Sequence, residues 1–131
     1  MSVETARKYF EVSDSEDHNA RDLTELFAED AVLKSPREGV FRDREGVLEF
    51  FRMNEQFFAE GEHRIDCYYE DDDAIICEGT IRGRTTAGRE YEHVGLVDVM
   101  EFNDEDKIRE LRVYLDYSAI LSELPEETPD F

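Results

Sequence analysis

The sequence contains no tryptophan, only three prolines and no apolar run long enough to cross a membrane. A spanning helix needs roughly twenty consecutive apolar residues, so no membrane segment is predicted. The N-terminus, MSVETARKYF, also lacks the basic-then-apolar pattern of a secretory signal peptide. We therefore expect a cytoplasmic protein with no membrane partner.

Lysine is also scarce, since only Lys8, Lys34 and Lys107 accompany the arginines, and acidic residues outnumber basic ones by 35 to 15. The formal net charge is −20, and the acidic residues are spread along the whole chain. Such a surface repels itself at ordinary ionic strength and is largely screened at about 1 M salt. The pattern favours adaptation to high salt; an ordinary acidic protein is the alternative. Nucleic acid is not an expected partner, because binding phosphates requires clustered cations.

The two cysteines, Cys67 and Cys77, do not have the spacing of a metal site. A three-residue turn at 71–73 would pair residue 70 with residue 74 and so place Cys67 opposite Cys77. That geometry would allow a disulfide, but free thiols are favoured in a reducing cytosol.

The histidines His18, His63 and His93 are too scattered along the chain to indicate a zinc site. The glycines of GTIRGRTTAG fall within a predicted hairpin and do not form a phosphate-binding loop. The acidic run at 70–73 is interpreted as a solvated turn. We therefore expect no metal and no cofactor.

Hydrophobic periodicity divides the chain into a helical first half and a second half made of strands. Helices are predicted over 3–12, around Leu23, Leu26 and Phe27, and from a capping Asp43 to Gly61, with a short strand at 31–36 before the third helix. The four later strands are HRIDCYYE, AIICEGTIRGRT, REYEHVGLVDVMEF and KIRELRVYLDY, joined as an antiparallel meander. This order predicts one α+β domain over 1–131, with its core at 3–122 and a frayed acidic tail at 123–131.

The predicted hairpins sort the strand side chains into two faces. Turns at 104–105 and 87–88 pair residue 98 with 111 and with 77. The face that should pack against the helices contains Ile65, Cys67, Tyr69, Ile75, Cys77, Ile81, Val94, Leu96, Met100, Phe102, Leu111, Val113 and Leu115. The opposite, polar face contains Asp66, Tyr68, Glu78, Thr80, Arg82, His93, Arg112, Tyr114 and Asp116, with Val97 and Val99 among them.

Asp98 interrupts the apolar face between Leu96 and Met100. A buried carboxyl group must be protonated, paired or hydrogen-bonded, and burial raises its pKa, so Asp98 is a candidate neutral acid. The alternative is a structural aspartate tied to a backbone amide or an arginine. Asn54 and Tyr9 lie on the apolar stripes of their helices and are aimed at the same interior, either as ligand contacts or as ordinary core residues.

The segments LFAEDAVLKSP, VLEFF and LVDVMEFNDEDKIRELRVYLD resemble the nuclear transport factor two-like superfamily, in its ketosteroid isomerase and SnoaL-like polyketide cyclase branch. The resemblance covers about residues 3–122. It implies a cystatin-like fold, in which a cone-shaped, curved antiparallel sheet packs on three N-terminal helices and encloses a pocket. It also implies a homodimer formed through the outer face of the sheet.

The same resemblance implies functional roles for individual residues. Tyr9 and Asp98 match the oxyanion-binding pair of the isomerases, whereas Ser35 occupies the position of their catalytic base. A serine cannot remove a carbon-bound proton without a base beside it. Asp116 matches the acid/base aspartate of SnoaL-like cyclases, and the predicted register places His93 across from it. Strict alternation puts this pair on the polar face, but a bulge near Gly95 or the strand-end position of Asp116 could bring it to the pocket mouth; a surface ion pair is the alternative.

We therefore predict a cofactor-independent isomerase, cyclase or hydrolase that acts on a small hydrophobic carbonyl compound. Its predicted catalytic residues are Asp98, Tyr9, Asp116 and His93. Its predicted ligand-binding residues are Asn54, Phe27, Phe51, Met100, Val113 and Tyr114. The alternative is a non-catalytic ligand-binding or dimerisation module of the same fold.

Overall fold

Three helices carry apolar stripes in the computed structural model, which describes residues 2–15 and 20–120. They are α1 (Ser2–Asp14), α2 (Ala20–Thr24) and α3 (Asp43–Phe57). The stripe of α1 buries Ala6, Tyr9 and Phe10, and that of α3 buries Val47, Leu48, Phe50 and Phe51. The acidic tail predicted at 123–131 and His18 lie outside the described residues.

The start of α3 is capped by Asp43, as predicted. Its Oδ1 accepts the backbone N–H groups of Glu45 at 3.0 Å and Gly46 at 3.3 Å. The predicted end of this helix at Gly61 is wrong, because the chain turns directly into a strand at Phe58. The ring of Phe58 packs edge-on against Tyr91, and this contact with the sheet ends the helix early.

The prediction of a helix through Leu26 and Phe27 is also wrong. Strand β1 spans Phe27–Ser35, and β2 spans Gly39–Arg42. Phe27 pairs with Ile108, whose N–H donates to the Leu26 carbonyl at 2.9 Å. Pairing with a distant strand thus overrides the local helical spacing of these apolar residues.

The remaining strands are β3 (Phe58–Asp71), β4 (Ala74–Thr85), β5 (Glu90–Phe102) and β6 (Ile108–Leu115), followed by a 3-10 turn at Tyr117–Ala119. They form the predicted antiparallel meander. The complete sheet has the order β2-β1-β6-β5-β4-β3, and β1 runs parallel to β6. The sheet is therefore mixed, not antiparallel throughout as predicted. It is curved and unclosed, as in the nuclear transport factor two-like fold.

From Ala74 to Ile81, β4 pairs with β5 in the predicted register, with Cys77 opposite Asp98; beyond Ile81 a bulge shifts the pairing by one, so that Gly83 pairs with Tyr91. Between β5 and β6, Asp98 pairs with Val113 and not with Leu111. The reason is a longer turn: the Asn103 N–H donates to the Lys107 carbonyl, and the Asn103 side chain accepts the Lys107 N–H. A shift of two residues keeps every side chain on its predicted face.

A bulge in β3 between Ile65 and Cys67 changes the predicted facing. Beyond it, Asp71 pairs with Ala74, so the turn has two residues and not the predicted three. Cys67 therefore pairs with Glu78 and Tyr68 with Cys77, the predicted Cys67–Cys77 pair is wrong, and both thiols are free. Tyr68 packs against the core while Tyr69 is exposed, which reverses their predicted faces.

Glycine at position 79 allows the strands to approach at this bulge. A Cβ there would lie 1.9 Å from the Arg64 carbonyl oxygen.

No helix among the described residues is long and apolar enough to cross a membrane.

Candidate functional site

A cavity of about 1170 Å³ lies between the helices and the curved sheet, and it opens to solvent. This volume lies slightly above the usual range for small-molecule sites, which is about 300–1,000 Å³. Side chains from α1, α3 and strands β3 to β6 line it. Those that bear on its chemistry are Tyr9, Asp14, Asn54, His63, Asp98 and Tyr117.

Asp98 is brought to the cavity wall by the alternation of β5. Its side chain is buried, with 4% exposure, and no hydrogen bond or ion pair joins it to another described residue. In the described ranges, every fully buried side-chain oxygen or nitrogen has a hydrogen-bond partner. Since the Asp98 carboxyl has none, its oxygens must be the part of the residue that remains exposed, at the cavity wall. Burial raises its pKa to about 7, and the nearby His63 partly offsets that increase.

Tyr9 reaches the same cavity from the buried stripe of α1. Its ring is fixed by edge-on packing against Phe10, at 5.0 Å between centroids, and Phe27, at 6.3 Å. Burial, and next the charge of Asp98, raise the pKa of Tyr9 well above its ordinary value. Tyr9 therefore remains a protonated phenol, and a protonated Asp98 is a second hydrogen-bond donor in the same cavity.

A histidine–aspartate pair, not identified from the sequence, completes this wall. The Nδ1 of His63 lies 2.6 Å from Oδ1 of Asp14, and the backbone N–H of His63 donates to Oδ2 at 3.0 Å. Because a carboxylate only accepts, this contact assigns the proton to Nδ1 and leaves Nε2 as the basic nitrogen. Both residues line the cavity.

The predicted ligand-binding residues divide into three groups. Asn54, Phe51 and Val113 line the cavity. Phe27 and Met100 are fully buried in the core and are not part of the lining. Tyr114 lies on the opposite face of the sheet, 46% exposed, in a groove of about 590 Å³.

The predicted His93–Asp116 pair is not formed. Since β6 pairs Leu115 with Leu96, Asp116 lies beyond the ladder, where its N–H donates to the Gly95 carbonyl at 3.1 Å. His93 lies in a bulge with φ 55° and is exposed. Asp116 is exposed in the outer groove, so the structure does not bring either residue into the cavity lining.

Ser35, at the predicted position of the isomerase base, is buried beside a carboxylate. Its hydroxyl donates to Oε2 of Glu38, and the same oxygen accepts the Tyr117 hydroxyl at 3.2 Å. Arg37 lies 3.4 Å from the other Glu38 oxygen. Glu38 follows the predicted strand and belongs to no local motif, so the sequence alone gives no signal for it.

Acidic side chains dominate the rim of the cavity. Arg82 pairs with Glu62 at 2.8 Å and Arg84 pairs with Glu60 at 3.1 Å, which offsets two of the carboxylates. The other acidic residues at the rim are Glu55, Glu90 and Glu92. In the described ranges, no three His, Cys, Asp or Glu side chains are grouped as metal ligands.

The fold is that of a small α+β domain with an interior cavity, and titratable side chains line that cavity. The model of the SnoaL-like domain matches residues 6–111, and the chain belongs to that family. A search of curated proteins finds no match.

Solved structures share the fold at low sequence identity. An NTF2-like protein of unknown function from Burkholderia pseudomallei is 20% identical over 91% of this chain and 93% of its own, with a TM-score of 0.81. A protein with a ketosteroid isomerase-like fold from Catenulispora acidiphila, solved with trimethylamine, is 19% identical over 96% and 98%, also with a TM-score of 0.81. A putative SnoaL-like polyketide cyclase from Jannaschia is 18% identical over 91% and 88%, with a TM-score of 0.79.

Proposed function

We propose that this protein is a cofactor-independent enzyme that moves a proton next to a carbonyl group of a small, neutral, hydrophobic substrate. The observation that carries the proposal is the buried Asp98 carboxyl, which lines the cavity without a hydrogen bond to any described residue. A polar group kept buried without a protein partner is destabilising, which is typical of functional sites.

In this mechanism, the substrate carbonyl oxygen accepts hydrogen bonds from the Tyr9 phenol and the protonated Asp98. As a proton leaves the neighbouring carbon, negative charge develops on that oxygen, and both donors bind the resulting enolate more strongly than the ketone. Donors placed in advance stabilise the transition state because they need little reorganisation. The raised pKa values keep the Tyr9 phenol protonated at neutral pH, and they leave Asp98, with a pKa of about 7, about half protonated there and mostly protonated below.

The proton is removed by Nε2 of His63. Asp14 holds the Nδ1–H and stabilises the imidazolium that forms when Nε2 takes the substrate proton. The same imidazolium then returns the proton, either to the original carbon or to a conjugated position. This role replaces the predicted one for His93 and Asp116, which do not line the cavity.

The acidic rim favours a neutral substrate. An anionic compound would have to pass Glu55, Glu90 and Glu92, which line the entrance. Like charges at close range disfavour binding, whereas an uncharged carbonyl compound avoids this repulsion.

Hydrogen–deuterium exchange of α-tetralone tests the proposal without knowledge of the natural substrate. Its α-protons exchange through the enol, and NMR in D₂O follows the loss of their signal. We expect exchange faster than in buffer, with a decrease of about a hundredfold in Asp98→Leu and in His63→Gln. Asp98→Asn, which keeps a donor, should retain more activity than Asp98→Leu.

Asp66→Asn is the matched control, because Asp66 is exposed on β3 and pairs only with Arg64 among the described residues. Its exchange rate should equal that of the unmodified protein. Exchange no faster than in buffer, together with saturable binding of α-tetralone, would instead indicate a non-catalytic ligand-binding module.

A further inference from the structure

Tyr117 combines a position in the cavity wall with a hydroxyl proton that is already bonded to a carboxylate. It begins the 3-10 turn after β6 and lines the cavity together with Val113 and Leu115. Its hydroxyl donates to Oε2 of Glu38 at 3.2 Å. Tyr9 lines the same cavity.

Glu38 is held in place from several directions. Oε2 also accepts the hydroxyl of the buried Ser35, and Oε1 lies 3.4 Å from Arg37. The Arg37 guanidinium in turn lies 5.4 Å from the centre of the Tyr117 ring. These contacts hold the Glu38 carboxyl in place as a hydrogen-bond acceptor, so the Tyr117 proton has a partner outside the cavity.

A phenol has one proton and two lone pairs. Because the Tyr117 proton is engaged by Glu38, its oxygen can offer only a lone pair to a molecule in the cavity. Tyr9 and a protonated Asp98 offer the opposite, a pair of donors. The cavity therefore offers hydrogen-bond donors at Tyr9 and Asp98 and a hydrogen-bond acceptor at Tyr117.

We propose that Tyr117 is a specificity-determining residue that accepts a hydrogen bond from a hydroxyl group of the substrate. This inference rests on the proposed function, since the carbonyl oxygen of the same molecule binds Tyr9 and Asp98. The substrate class is thus a neutral hydroxy-carbonyl compound. A methyl ether at the hydroxyl position has no proton to donate. Its oxygen and the Tyr117 oxygen would then be two hydrogen-bond acceptors in contact.

Binding of hydroxyacetophenones and their methyl ethers tests this inference. The meta and para isomers of hydroxyacetophenone and of methoxyacetophenone are titrated calorimetrically at a pH where the phenols are neutral. We expect one hydroxy isomer to bind about tenfold more tightly than its methyl ether, the effect of one satisfied hydrogen bond. Tyr117→Phe should abolish this preference while both compounds still bind.

Glu38→Gln gives a second test. Its amide nitrogen can donate to the Tyr117 oxygen and free the phenol proton, which can then bind a methoxy oxygen. The hydroxy-over-methoxy preference should therefore narrow in this variant. Tyr69→Phe is the matched control, because Tyr69 is exposed and its hydroxyl donates to Glu78 at 3.3 Å, outside the cavity.

The inference is overturned if the hydroxy and methoxy compounds bind equally, if the preference survives in Tyr117→Phe, or if no hydroxy isomer binds. Affinity that depends on Asp98 but not on Tyr117 would reject this role and leave the proposed function standing. A Tyr117-dependent preference without α-proton exchange would support the specificity and reject the catalysis. Unchanged thermal unfolding of Tyr117→Phe shows that the fold is intact.

Discussion

Asp98 and Cys77 face each other across the β4–β5 pair, and both side chains are buried. Burial first, and then the charge of Asp98, raise the pKa of the Cys77 thiol to about 12. When Asp98 is protonated, the pair therefore consists of two uncharged groups, a carboxylic acid and a thiol. In the described ranges an ionised Asp98 would have neither a hydrogen-bond partner nor an ion-pair partner, which links the candidate site to stability.

The stability of the protein should depend on pH through Asp98. Its pKa rises from 3.8 to about 7 on folding, so the ionised form destabilises the native state. The destabilisation is absent below the unfolded pKa, grows between the two values and is complete above about 7. A shift of about three units corresponds to roughly 4 kcal/mol at most. Asp98→Asn should therefore raise the free energy of unfolding at about pH 8 and have little effect at about pH 4.

Urea denaturation of both proteins across this pH range measures the difference. Asp71→Asn, at the exposed end of β3, is the control and should show no such pH dependence. A stability difference that does not change between acid and neutral pH would contradict the raised pKa of Asp98.

Gly79→Ala should be strongly destabilising. The added Cβ would lie 1.9 Å from the Arg64 carbonyl oxygen and 2.8 Å from the Ile65 Cα, both backbone atoms that cannot rotate away. We expect a loss of about 3 kcal/mol or more, measured by urea denaturation. Gly95→Ala, in the neighbouring strand, has no atom within 4 Å of the added Cβ and should be nearly neutral. Equal stabilities of the two variants would be inconsistent with the described bulge.

The inward position of Asp98 could be predicted from the sequence although the predicted β5–β6 register is wrong. The β5–β6 register is shifted by two residues, and a shift of two preserves the facing of each side chain. The bulge between Ile65 and Cys67 shifts the register by one, and there the predicted faces of Tyr68 and Tyr69 were reversed.

The other parts of the candidate site depend on long-range contacts. Asp14 and His63 are separated by 49 residues, and no local motif joins them. The sequence does carry a weaker signal for this pair. Asp14 lies one helical turn after Phe10 and His63 lies two positions before the inward Ile65, so each is expected on the same inward face as that neighbour. Phe27 was misassigned because its helical spacing to Leu23 competes with pairing to β6, which only the tertiary structure reveals.

The outer face of the sheet is the proposed contact surface for a homodimer. Tyr69 and Tyr114 are 49% and 46% exposed there and supply large contact side chains. Tyr114→Glu should convert a dimer into a monomer, because it removes one of these side chains and adds a charge to the interface. Sedimentation velocity measures the mass of each protein. Glu90→Gln, at the cavity rim, is the control, and a monomeric unmodified protein would contradict the proposal.

Salt should stabilise this protein, as the sequence-based interpretation of a high-salt protein requires. Two electrostatic effects oppose each other. Ion pairs on the sheet, such as Lys34 with Glu110 at 3.2 Å and Arg109 with Glu101 at 3.0 Å, are weakened by salt, but exposed pairs contribute about 1 kcal/mol or less each. Repulsion from a net charge of −20 acts over the whole surface and is screened as the Debye length falls from about 10 to about 3 Å.

Repulsion should therefore outweigh the ion pairs, and the unfolding temperature should rise by several degrees between about 0.1 and about 1 M KCl. Sucrose, which is excluded from protein surfaces but does not screen charge, should not reproduce the full effect. Neutralising the exposed end of β3 with Glu70→Gln and Asp71→Asn should raise the unfolding temperature at low salt and leave it unchanged at high salt. An unfolding temperature that falls with KCl would show that the local ion pairs dominate and would reject adaptation to high salt.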